Sequence, residues 1–214
     1  MSVPMSTVLT QARTYLNDDN SLQFPDPVII PKIAQAHQEL QLALQNIGSP
    51  IVRGLSAVIT IPNSTTPTTL SFTSTPPLPT DLIVPTSIFE STAANMSVST
   101  PITEFMYLPI AVAQGTTTIS RWAWTEEQLV LGPCAASVYI QILYKRMITI
   151  PVLNTDLIGV LNGEFFLSAR AAAMVAATLD GQKDLVASLN SLAADKLKDL
   201  LTSNRGAQRP LSKP

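Results

Sequence analysis

The chain has 214 residues, of which 46% are hydrophobic and 13% charged, and its formal net charge is −2. The charged share is about half the roughly 25% usual in soluble domains, so a sizeable core is available but little charge is left for a free monomer's surface. These values exclude a broad electrostatic footprint for nucleic acid, and the single cysteine, Cys134, excludes an intramolecular disulfide framework.

A skin so poor in charge fits surfaces covered by copies of the chain or by partners; a neutral Thr/Ser-rich surface is the plain alternative. The first residues, Met1 to Thr7, have no basic region and no long apolar run, so no signal peptide is expected. No stretch reaches the roughly 18 uninterrupted apolar residues of a membrane span. The product is expected to be soluble, made in a host cytoplasm and without a membrane partner.

Residues 5–48 read as helical, about 51–150 as β and about 162–202 as helical again. That order predicts an α+β fold: a helical bundle from both chain ends, 1–50 and 151–202, with an antiparallel β module, 51–150, inserted between them. Residues 203–214 read as an extended C-terminal arm.

The first helix is expected from Ser6, as its cap, to about Asn17, with Val8, Leu9, Ala12, Tyr15 and Leu16 on one face. Asn17 to Asn20 form a turn. In the second helix Ile30, Ile33, His37, Leu40, Leu44 and Ile47 share a face, and Gly48 follows its end. Asp26-Pro27 makes a good cap and first position, yet Pro31 would remove a bond inside that helix. Either the helix starts at Pro31 or its first turn is kinked.

In the middle section Leu55–Ile61 and Thr68–Thr73 read as strands of a candidate hairpin around the turn Asn63–Pro67. Leu82–Phe89 and Phe105–Ile110 are short strands or irregular packing segments. Ile119–Thr125 alternates, Glu126-Glu127 turns, and Gln128–Gly132 returns. Val138, Ile140, Ile142 and Tyr144 mark one face of a further strand, and Pro151 closes the module. A helix then starts near Gly163, with Asn162 as a possible cap, and runs to Leu179; its many alanines permit close helix approach. The last helix spans about Lys183–Thr202, with Leu185, Leu189, Leu192, Lys196/Leu197 and Leu200 as its stripe.

Residue chemistry points away from catalysis. His37, the single histidine, lies on an apolar stripe, and no second His or Cys is present to build the usual zinc site. No nucleophile elbow, P-loop or dinucleotide glycine pattern occurs. Asp18-Asp19 in a turn and Glu126-Glu127 at a hairpin tip read as solvated, and adjacent carboxylates at a tip diverge and do not flank a substrate. The expectation is no enzyme, no metal and no cofactor. Trp122 and Trp124 share a strand face: they form a sugar-stacking platform, or a β core or subunit contact. Arg205, Arg209 and Lys213 make the C-terminal arm basic: a solvated terminus, or a segment that orders on a partner, with Pro210 and Pro214 favouring an extended docking mode.

The run Ala12-Arg13-Thr14-Tyr15-Leu16-Asn17-Asp18, followed by a helix carrying Ala36-His37-Gln38-Glu39-Leu40, resembles the start of tailed-phage head–tail adaptor (connector) proteins. Leu78-Pro79-Thr80-Asp81-Leu82, the Trp122/Trp124 strand, Tyr139–Tyr144, and the Phe166, Ala169, Arg170 helix with its Arg/Pro tail continue the likeness. Pro31 and the Thr/Pro-rich stretch 62–80 depart from it. The resemblance implies a virion protein at the neck: a ring, usually of twelve subunits, beneath the portal, with a downstream tail or neck protein below and genomic double-stranded DNA passing through its bore. It implies that the arm, with Arg205, Gln208, Arg209, Pro210, Leu211 and Lys213, contacts the portal. The helix faces of 30–47 and 166–200 are expected to form the intramolecular core and part of the ring contact. The alternatives are another virion part (stopper, tail-tube or head-decoration protein) or a carbohydrate-binding module using Trp122 and Trp124.

Overall fold

The computed structural model describes residues 3–104, 117–119 and 121–205. It divides into two compact units, one taking the chain up to Val52 and from Ile148 onward, the other Arg53–Met147.

The first unit holds four helices among the described residues: α1 (Met5–Leu16), α2 (Asp26–Asn46), α3 (Gly163–Ala176) and α4 (Lys183–Arg205). α1 does not use Ser6 as its cap. Ser6 lies in the first turn, and the Met5 and Ser6 amides donate to the Asp156 and Asn154 carbonyls at 2.8 and 3.0 Å. A loop distant in sequence thus satisfies donors that a helix start normally leaves unpaired, which no local capping rule foresees. α1 ends on Asn17 in the left-handed region (φ 54°).

α2 begins at Asp26, with Pro25 rather than Asp26 in the cap position, and Pro31 lies inside it. Burial of Ile29, Ile33, Ala36, Leu40 and Leu44 outweighs the one backbone bond that proline removes. The helix ends in a Schellman motif: Gly48, at φ 65°, donates to the Gln45 carbonyl, and Ser49 to that of Leu44.

α3 is buried on nearly all sides and packs against α1, α2 and α4. An apolar helix without a wet face belongs at the centre of a bundle. Its alanines at 169, 171, 172, 173 and 176 are what let the other helices come close. Asn162 does not cap it by side chain; it sits at φ 61° without a capping bond. The helix stops at Ala176, earlier than the expected Leu179, and α4 continues to Arg205, so residues 203–205 are helical and not part of an extended arm.

In the second unit the strands are β1 (Arg53–Leu55), β2 (Ile59–Ile61), β3 (Thr68–Leu70), β4 (Leu82–Ser91), β5 (Thr100–Glu104), β6 (Arg121–Thr125), β7 (Gln128–Leu131) and β8 (Val138–Arg146). The order is β1-β8-β4-β5-β6-β7-β3, with β2 also paired to β8. The expected single strand Leu55–Ile61 is broken at Ser56, whose hydroxyl accepts the Ile142 amide at 2.9 Å and donates to the Ala57 carbonyl at 2.7 Å. The expected hairpin does not form: β2 pairs with β8 and β3 with β7. Nor is the sheet wholly antiparallel. β5 and β6 run parallel, and the segment 105–120 between them has the length a crossover requires. The expected element Phe105–Ile110 lies outside the described residues.

The β6–β7 hairpin is as expected, and both turn residues, Glu126 (φ 51°) and Glu127 (φ 61°), take the positive φ of a type I′ turn. β4 lies between β8 and β5 and accommodates Pro85 because register shifts interrupt the ladder there. Val138, Ile140, Ile142 and Tyr144 are all buried in the core of this unit. Gly54 faces Tyr144 across the β1–β8 pair, and a Cβ there would come within 2.5 Å of the phenol ring.

Candidate assembly surfaces

The residues that carry the resemblance hold the fold together. Ala12 and Leu16 are buried on α1. Arg13 pairs with Asp26 at the start of α2, and Asp26 also accepts the Asn154 amide at 3.2 Å. Asp18 is buried and accepts three amides: Leu22 at 2.9 Å, Gln23 at 3.1 Å and Phe24 at 2.8 Å. Desolvation works to raise its pKa, but those donors and the nearby Arg13 prevail and hold the carboxyl below its ordinary value. The run Arg13–Asp18 is therefore a helix stop and loop clamp that aims α2.

Asp156 repeats the device, accepting the Val152 and Leu153 amides at 2.8 Å each. Its pKa is lowered by those two bonds. The loop it braces is the one that caps α1.

Arg170, the charged residue of central α3's alanine run, joins three helices. Its guanidinium makes a two-pronged pair with Glu39 of α2 (2.7 and 3.0 Å) and donates to Asn190 of α4 at 2.6 Å. The Glu39 bond keeps it charged against the opposing effect of burial. In the β unit Asp81 accepts the Tyr144 hydroxyl at 2.8 Å. Burial, that bond and the Asp81 charge push the phenol up to about 12.

Trp122 is 1% exposed and donates its indole N–H to the Ile102 carbonyl at 3.1 Å, while Trp124 is partly buried against the same core. A sugar platform needs an open ring face, and Trp122 has none. Of the expected arm residues, Arg205 ends α4; Gln208, Arg209, Pro210, Leu211 and Lys213 lie outside the described residues.

The remaining polar groups do not converge. His37 is fully buried with no partner for either ring nitrogen among the described residues, and desolvation lowers its pKa. Glu90 is buried in β4 with its carboxylate accepting the Ile119 amide at 2.7 Å; burial raises its pKa against that bond. Burial also raises the Cys134 thiol, so it is not an activated nucleophile. Among the described residues no group of three or more His, Cys, Asp or Glu could hold a metal, and no helix is long and apolar enough to cross a membrane.

What the helical unit does present is exposed apolar surface. Val152, Leu153, Leu157, Leu161 and Phe165 lie within one short segment. Sequence reading missed this cluster because the segment is not periodic. Its signal was large apolar residues at positions where a loop normally carries polar ones.

No protein with a curated description matches the chain. The family model described as SU10 adaptor protein matches residues 4–214. The match spans nearly the whole chain: the chain belongs to the SU10 adaptor protein family, a family of phage head–tail adaptors, and is a structural component of the virion.

Proposed function

We propose that this chain is a subunit of the ring that joins the portal to the tail or neck and lines the channel through which the genomic DNA passes. The observation that carries this reading is the family match over residues 4–214. The low charge supports it, since a bore that lets DNA slide must not grip phosphates with clustered Lys and Arg, and the net charge is −2. The helical unit supplies a rigid body with apolar groups left on its outside, as self-association requires. Arg205, Gln208, Arg209, Pro210, Leu211 and Lys213 supply a basic, proline-limited segment suited to ordering on the portal. Binding rather than turnover is the activity, with the portal above, the next tail or neck protein below, and neighbouring copies to each side.

The test is to mix the full-length chain with purified portal and size the product. A ring stacked on the portal is expected, and removal of residues 206–214 is expected to abolish portal binding while leaving the helical signal unchanged. Undiminished binding by the shortened chain would remove the role given to the arm. Burial of Trp122 argues against the carbohydrate-binding alternative. A complex containing tail subunits but no portal would favour a stopper or tail-tube part instead.

A further inference from the structure

A groove of the helical unit lies where the chain leaves α4. It has a volume of about 390 Å³, with Asn162 and Phe165 at the start of α3 on one side and Lys196, Asp199, Leu200 and Ser203 of α4 on the other. The α4 positions recur at helical spacing, so they form one stripe that leads back from the end of the helix. Phe165 is 41% exposed, and the Lys196 ammonium stands 6.0 Å from its ring centroid. Asp199 is exposed and makes no ion pair among the described residues. The groove thus offers one open apolar ring and one carboxylate further along the same stripe.

Chain geometry selects the occupant. Residues 206–214 follow Arg205 and lie outside the described residues. Gly206 is the residue type that most often ends a helix in left-handed backbone and turns the chain back. A chain reversing there in extended form covers about 3.3 Å per residue, while the helix beside it rises about 1.5 Å per residue. Arg209 then comes back about 10 Å from Gly206, and Asp199 lies about 10.5 Å back along α4. Leu211 comes back about 16.5 Å, against about 15 Å for Lys196 and the Phe165 ring beside it. A single register therefore sets a cation on the carboxylate and an apolar side chain on the open ring. Pro210, between them, favours the extended form this register needs. A short tether also holds the segment near the groove at an effective concentration of about millimolar, which no untethered partner matches.

We infer that residues 206–214 fold back into this groove in the free subunit and that the portal has to displace them; this rests on the adaptor reading above, in which the same residues bind the portal. The test uses the full-length chain carrying Phe165→Cys and Leu211→Cys, oxidised at low concentration with oxidised glutathione. An intrachain disulfide is expected to form about tenfold faster or more than in a control carrying Lys198→Cys and Leu211→Cys, because Lys198 is exposed and near but does not line the groove. Cys134 is buried and gives neither product. Should the first variant fail to fold, Asp199→Cys with Arg209→Cys replaces it against the same control. Equal rates in groove and control pairs overturn the fold-back, as do interchain dimers in place of the intrachain product. The locked chain is further expected to lose portal binding and to regain it on reduction; portal binding while locked overturns the displacement. The rates in the free chain judge the groove without any portal, whereas a parent chain that never binds portal overturns the adaptor reading.

Discussion

Replacing Leu40 with alanine probes the helical core where its size can be worked out. Leu40 is fully buried on α2, and one of its methyl groups lies 3.4 Å from where a Cβ on Gly163 would sit, so it fills the space at the start of α3. Gly163, which faces it at the start of α3, has no side chain that could swing into a vacated space. The loss should therefore fall in the middle of the roughly 2–5 kcal/mol range for such truncations, about 3 kcal/mol. With a urea slope of about 2 kcal/mol/M, the midpoint should fall by about 1.5 M. The two units carry different reporters: the helices dominate the far-ultraviolet circular dichroism, while Trp122 and Trp124 both belong to the β unit. Leu40→Ala should move the dichroism transition and leave the tryptophan transition in place. A dichroism shift under about 0.5 M would refute the packing argument. Equal movement of both transitions would refute the separation of the two cores.

Three further outcomes concern two buried polar groups, His37 and Glu90, and one half-exposed ion pair. His37 binds its proton less readily in the folded chain than in the unfolded one, so between its ordinary value of 6.5 and its lowered one the unfolded state holds more protons. Stability of the helical unit should thus fall as pH drops below about 6.5, and His37→Leu should flatten that dependence in dichroism-monitored unfolding. Glu90 shows the opposite sign: its raised pKa means the folded chain keeps a proton that the unfolded chain loses above 4.5, so its charge destabilises the β unit at neutral pH. Glu90→Gln can still accept the Ile119 amide and should raise the tryptophan-monitored midpoint at pH 7; a lowered midpoint would contradict this. For Arg170 and Glu39, whose side chains are 32% and 39% exposed, a double-mutant cycle should give a coupling of about 1 kcal/mol that shrinks with added salt, because solvent screens the pair.

The parts of this fold that were legible in the sequence are those fixed by local periodicity. The α2 stripe through Ile33, His37, Leu40 and Leu44 and the alternation of Val138, Ile140, Ile142 and Tyr144 each name their buried face from spacing alone. What stayed hidden depends on partners far along the chain. Ser56 breaks a strand because it meets Ile142, and β3 leaves its neighbour β2 for β7. α1 dispenses with Ser6 because residues 154–156 reach its first turn. Asn162 showed the limit of cap rules in another way: it has the right side chain, but its backbone lies in the left-handed region where that side chain makes no capping bond. The run Arg13–Asp18 carries a recognisable resemblance, but its purpose emerges only with Asp26 and the amides of residues 22–24 in place.

Native mass measurement of the full-length chain, alone and with purified portal, addresses the adaptor reading most directly. A discrete multimer of this chain bound to the portal ring is the predicted species. A chain that stays monomeric at every concentration, with and without the portal, would contradict it.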